Sequence, residues 1–279
     1  MVLKKIHLSF NFNTINAMST VLKTFVAYLK RPALYPELGR KIIKNTVSRR
    51  SPFKGKAKTN HWAASIAVSQ KEVISRLFSM DTDNFKSAYA DILEKANAKE
   101  KECPVKMGGA GAMELIYYAC EFTKAQNVLE TGVAYGWSSL AILLSLQKRN
   151  GTLYSSDMPY LAQDGDQYVG CVVPENLKKY WQLFRFADRE SLPKILKKVS
   201  SFDVFHYDSD KSYHGRMWAY HQIYKRLRPG AVFISDDIGD NSAYQDFCNR
   251  MNISTFVVEY HGKYIGIFVK EYVPLIRAK

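Results

Sequence analysis

Five acids sit at the ends of four apolar runs, and this spacing would deliver carboxylates to one edge of a sheet. Glu130 ends the run in VLETGVAYG and is followed by Gly132, Ala134 and Gly136. Asp157 ends GTLYSSD, Asp208 follows FDVFHY, and Asp236 with Asp237 ends LRPGAVFISDD. Small residues between a strand and a helix start let a nucleotide-like ligand approach the backbone amides. The pattern E-x-G-x-x-x-G differs from the dinucleotide fingerprint, which reads G-x-G-x-x-G and places its acid about 20 residues later. Here the second strand itself ends in Asp157, a carboxylate suited to a ribose diol.

To bring these acids together the chain must alternate strands with covering helices. Helical periodicity over Ala88–Lys95, Ala112–Thr123 and Tyr213–Leu227 supplies several of the latter. Alternation of this kind argues for a parallel α/β sheet with its ligand at the carboxyl ends of the strands.

In the order LETGVAYG, SSD, ADRESL, FHYDSDKSYHG, LRPGAVFISDD and the final TFVVEYHGKYIGIFVK, residues from about 105 to 270 resemble a class I S-adenosylmethionine-dependent methyltransferase. The resemblance implies an α/β, Rossmann-like fold. Its sheet would have seven mostly parallel strands, helices on both faces and an antiparallel C-terminal hairpin turning at His261-Gly262. Ala134 stands where glycine is frequent. The donor would contact Met107, Gly108, Glu130, Gly132, Ala134, Gly136, Asp157, Asp188 and Asp208. Asp188 also suits an N-cap, and the MGGAGA glycines suit an entry loop.

YDSDK and SDD are similar to the metal-dependent O-methyltransferases of the catechol, caffeoyl-CoA and macrolide-sugar type. That likeness implies Asp208, Asp236 and Asp237 as ligands of a divalent cation, Mg²⁺ by its preference for hard oxygens. Asp210 competes with Asp208 for this role, and Asp240 and Asn241 compete with the pair. Asp208 and Lys211 would be catalytic, with Lys211 a general base if desolvation lowers its pKa. His214, one helical turn further, is the alternative base. As loop carboxylates, all three aspartates could instead cap helices.

Of the net charge of +14, residues 1–60 hold 13 Lys or Arg against the single acid Glu37, so the remainder is nearly neutral. The expected organisation is a basic, partly helical extension (1–58), a helical pre-domain segment (59–104) and the methyltransferase domain (105–279). In the extension, Ser19–Leu29 is apolar-rich, and Pro36–Val47 places Leu38, Ile42 and Ile43 on one face among Arg40, Lys41 and Lys44. Such a face suits an anionic membrane surface or the protein's own core. Ser48–Lys58 reads as a basic linker. Cys103, Cys120, Cys171 and Cys248 show no ligand or disulfide spacing and read as free thiols of a cytoplasmic protein. No apolar stretch is long enough to span a bilayer.

Acceptor selection falls to Met158–Trp181, where Tyr160, Asp164, Asp166, Tyr168 and Trp181 could stack on a sugar and close a lid, or build a satellite core. His61 and Trp62 could fold over the same acceptor. The expected activity is metal-assisted methylation of a hydroxyl on a glycan, glycolipid or sugar-bearing small molecule. The competing readings are an RNA methyltransferase using the basic extension and a silent binding module. NPPY and DPPY signatures of base methylation are absent, and whether the protein forms homo-oligomers is left open.

Overall fold

A computed structural model describes residues 28, 31–40, 56–82, 84–160 and 165–271. Most of Ser19–Leu29, all of 41–55 and residues 161–164 therefore lie outside the described residues, Ile42, Ile43 and Asp164 among them. Within the extension, Pro32–Leu34 form a 3-10 turn and residues 35–40 are helical.

Helix α1 (Lys56–Ile66) leads into strand β1 (Ala67–Val68), followed by α2 (Gln70–Phe78), α3 (Phe85–Ala88), α4 (Ala90–Glu102) and α5 (Met113–Phe122). The alternating part runs β2 (Asn127–Thr131), α6 (Trp137–Leu146), β3 (Thr152–Ser156), β4 (Trp181–Phe184), α7 (Asp188–Lys198), β5 (Phe202–Tyr207) and α8 (Tyr213–Tyr224). It closes with β6 (Leu227–Ser235), α9 (Ala243–Met251), β7 (Phe256–Tyr260) and β8 (Lys263–Val269). The sheet order is β1-β7-β8-β6-β5-β2-β3-β4, with β8 antiparallel to both of its neighbours and every other pairing parallel.

The expected seven strands are present, and an eighth joins them. Ala67 and Val68 pair with Val257 and Val258 and so cover part of the outer edge of β7. A two-residue strand leaves no period to read in the sequence. The hairpin turns at His261 and Gly262, both at positive φ.

The two faces of the sheet pack differently. One is mainly aliphatic: Leu140, Ile142, Leu143 and Leu144 of α6 lie with Val128, Leu153, Val204, Val232 and Ile267. The other is aromatic: Phe205, Tyr207, Tyr220, Phe233, Tyr244, Phe247 and Phe268 form a chain of ring contacts between sheet, α8 and α9. Neighbours along a strand alternate between them, as the period-2 geometry requires: Val204 joins the first and Phe205 the second. At fully buried aromatic positions each side chain contributes roughly 1.5–3 kcal/mol by leaving water.

Candidate active site

The turn after β2 is built where side chains have no room. Gly132 adopts φ +83°, and a Cβ there would collide with the Asp208 carbonyl oxygen. Gly136, at φ +96°, packs on the Gly170 backbone. Ala134 keeps φ +51° despite its Cβ, a left-handed conformation that costs a non-glycine residue roughly 1–2 kcal/mol. Above this turn, the Met107 amide donates to the Tyr135 hydroxyl, which donates to the Val105 carbonyl. Gly108 lies beside Ala134, and Gly111 approaches the Asp236 carboxylate. The MGGAGA segment thus spans from the β2 turn to the acids after β6.

Glu130 does not reach that surface. Strand register places it between Ser155 of β3 and His206 of β5, and its carboxylate is wholly buried, accepting from the Ser139 and Ser155 hydroxyls at 2.6 and 2.7 Å. Glu130 ties the turn from below, where sequence reasoning placed it against the donor. Its other oxygen lies 3.7 Å from His206 Nδ1, and His206 Nε2 lies 3.5 Å from Asp236 Oδ1. Burial alone would lower the His206 pKa, yet the two flanking carboxylates push it up to about 10. The buried ring of His206 therefore stands between the first acid and the last pair.

Asp157 is nearly buried. Its Oδ1 accepts from the Val133 amide at 3.1 Å and its Oδ2 from Arg185. Desolvation raises its pKa against the pull of Arg185. The N-cap position of α7 is held by Ala187, with Asp188 the first helical residue, so the N-cap alternative does not hold. Asp188 accepts instead from the hydroxyls of Ser156 and Ser209 and joins the ends of β3 and β5. Desolvation, helped by the charges of Asp210 and Asp157, brings it up to about 6.

On the far side, Asp208 and Asp237 meet at Lys211, and Asp236 lies near enough to Asp208 for its charge to act on it. The ammonium bonds Asp208 Oδ1 and stands 2.8 Å from Asp237 Oδ2, while Lys263 stands 3.3 Å from Asp237 Oδ1. Desolvation would depress Lys211, but the charges of Asp208 and Asp237 outweigh it and its pKa is raised. The direction is opposite to the expected depression: in this arrangement the two carboxylates favour the charged form of Lys211. Desolvation, then the Asp236 charge, raise Asp208 to about 6.

Asp210 accepts from the Ser212 amide at the start of α8, Asp240 pairs with Lys56, and Asn241 accepts from the Ala243 amide at the start of α9. His214 is exposed, edge-on to Tyr213, and is not brought to the cluster. His61 is exposed on α1, whose inner side packs on the Ile238–Asp240 turn, with Trp62 partly buried in the aromatic core. Of the expected lid, Val172, Val173 and Leu177 are core, and the amides of Gly170 and Val172 donate to the Ala134 and Tyr135 carbonyls. The described part of that segment braces the β2 turn.

The sequence carried no sign of Arg216. It is 0% exposed and donates at 3.0 Å to the carbonyls of both Asp236 and Asp237. Asp237 sits at φ +53°, and this two-pronged bond holds its turn. An arginine inside α8, a helix that also holds His214, His221 and Gln222, has no spacing partner to betray it.

Three carboxylates are hard oxygen donors of the kind a divalent cation takes. As arranged, however, the Lys211 ammonium stands between two of them, and among the described residues no group of three or more His, Cys, Asp or Glu is placed to hold an ion.

An O-methyltransferase from Bacillus cereus, solved with SAH, aligns at a TM-score of 0.51 and 18% identity over 75% of this chain and 100% of its own. TomG from Streptomyces achromogenes, an O-methyltransferase involved in tomaymycin synthesis and solved with SAM, aligns at 0.51 and 16% over 68% and 99%. For a putative O-methyltransferase from Klebsiella pneumoniae the values are 0.50 and 16% over 75% and 100%. No match is found among curated protein sequences. The fold, a mostly parallel sheet with the single reversed strand β8, is the one shared with these O-methyltransferases. Residues 129–238 match the family described as a methyltransferase domain.

Proposed function

We propose that the protein transfers a methyl group from S-adenosylmethionine to a hydroxyl of a glycan, glycolipid or sugar-bearing small molecule. The observation that carries this reading is the contact of the Gly132 turn with the Asp208 backbone, which sets a donor-type loop against a cluster of three carboxylates and a lysine. Asp157 would receive the ribose, and the turn with Met107 and Gly108 would face the methionine part. The acceptor hydroxyl attacks the methyl carbon, the carbon–sulfur bond breaks, and S-adenosylhomocysteine leaves as a neutral thioether. Asp208, the more exposed acid of the cluster, accepts the hydroxyl proton, and the Lys211 ammonium stabilises the oxygen charge as it develops.

A divalent cation belongs to this proposal as its second part. Asp208, Asp236 and Asp237 would hold it once Lys211 withdraws, and it would supply Lewis-acid polarisation of the hydroxyl.

Calorimetric titration of S-adenosylhomocysteine, with Mg²⁺ and with a chelator, tests both parts. Binding lost in Asp157→Ala supports the donor pocket, and a metal effect lost in Asp236→Ala supports the cation. Binding by Asp157→Ala at the parent's affinity would remove the donor assignment.

A further inference from the structure

The acid assigned to the ribose is the inner end of a ladder of alternating charge. Asp157 Oδ2 accepts from Arg185 Nη1, and Arg185 Nη2 donates at 2.8 Å to Asp166 Oδ1. That oxygen also accepts from the Tyr160 amide, and Asp166 Oδ2 takes Arg31 Nη2 at 2.6 Å. The ladder ends on a residue 135 positions upstream of Asp166. A second contact fixes the same segment to the same edge: Arg40 bonds Glu190 in the first turn of α7, two residues after Asp188. Leu34, between the two arginines, is 2% exposed. Segment 31–40 is therefore seated on the protein beside Asp157 and Asp188.

A carboxylate offers about four lone-pair sites, two on each oxygen. At Asp157 one site on Oδ1 is taken by the Val133 amide and one on Oδ2 by Arg185. One site remains on each oxygen, the number that the two hydroxyls of a ribose require. Arg185 serves this purpose in two ways. It gives a nearly buried carboxylate its only ion-pair partner among the described residues, and it fixes the rotation of the carboxylate. Arg185 is held in turn only where Asp166 is held, and Asp166 is shared with Arg31.

We propose that Arg185 and Asp166 are positioning residues of the donor pocket and that Arg31, seated with segment 31–40, latches them in place. This rests on the reading that Asp157 receives the donor's ribose. It gives the described part of the basic extension a task inside the methyltransferase itself.

The test is calorimetric binding of S-adenosylhomocysteine to the full chain and to Arg185→Gln, Asp166→Asn, Arg31→Gln and the Arg31→Gln/Asp166→Asn double variant, in low and high salt. Arg185→Gln should weaken binding about tenfold, the scale of a hydrogen bond to a charged group. Arg31→Gln should weaken it roughly two- to fivefold at low salt, and raised salt should remove that difference by screening an exposed pair. The double variant should bind no more weakly than Asp166→Asn alone, because the latch acts only through Asp166. A purely structural Arg31 would change the melting temperature and leave neither the salt effect nor the coupling. Affinities of Arg185→Gln and Arg31→Gln within twofold of a parent that binds would overturn the inference. Should Arg185→Gln fail to fold, the surface variant Arg31→Gln decides by itself. A parent that does not bind S-adenosylhomocysteine defeats the donor reading, a result distinct from indifferent variants.

Discussion

Asp188 shows how a single side chain can be tested without knowing the acceptor. Its pKa in the folded chain is brought up to about 6 from an ordinary 3.8, mainly by desolvation. An acid whose pKa rises on folding binds its proton more tightly in the native state, so its contribution to stability declines as pH climbs from about 4 to about 6. Asp188→Asn keeps a partner for each serine hydroxyl and removes the ionisation. The variant should match the parent near pH 4 and exceed it by about 1–2 kcal/mol at pH 7, a range reduced for partial exposure. Urea denaturation at the two pH values measures this difference, and an equal difference at both would refute the assignment. The acids themselves were legible, because a carboxylate at the end of an apolar run is a local signal. The charge state of Lys211 was not, since it depends on Asp237 being turned towards it by Arg216 from another element. His206 was equally hidden: within a strand that is buried throughout, nothing in its neighbours shows that Glu130 and Asp236 flank it.

At the scale of the element, two glycines with similar backbone angles should respond differently to one extra methyl. Gly262, at φ +75°, leaves open space within 4 Å of where an added methyl would stand, whereas at Gly132 the Asp208 backbone blocks it. Gly262→Ala should cost only the backbone penalty of roughly 1–2 kcal/mol. Gly132→Ala should cost roughly 1–3 kcal/mol more through overpacking and should abolish S-adenosylhomocysteine binding. Equal losses in thermal unfolding would mean that the turn yields. Ala134→Gly, which relieves a left-handed alanine, should stabilise the chain by about 1 kcal/mol. Four of the strands and the hairpin were legible from apolar runs and turn residues, whereas β4 followed only from the resemblance. The bracing role of residues 165–173 was not, because its hydrogen bonds run from backbone amides to the Ala134 and Tyr135 carbonyls, and such bonds leave little trace in residue type.

Across the whole molecule, the aromatic face packs under the strands that end at the carboxylates. Phe233 makes ring contacts with Phe205, Tyr220, Phe247 and Phe268, two residues before the strand ends at Ser235. Phe233→Ala should cost about 3–5 kcal/mol in urea denaturation, and a loss below about 1 kcal/mol would show that the face repacks. Sheet order has a further consequence, for synthesis. Strand β8, made after every other described strand, lies inside the sheet between β6 and β7, and among the described residues β7 alone gives β1 its partner. Helix α1 must likewise wait for Gly239, against which Asn60 rests. On the ribosome, then, the donor turn after β2 emerges with its neighbours β3 and β4 while the carboxylate edge has neither its central strand nor its covering helix. A stalled nascent chain would hold the glycine turn without the carboxylate edge that faces it.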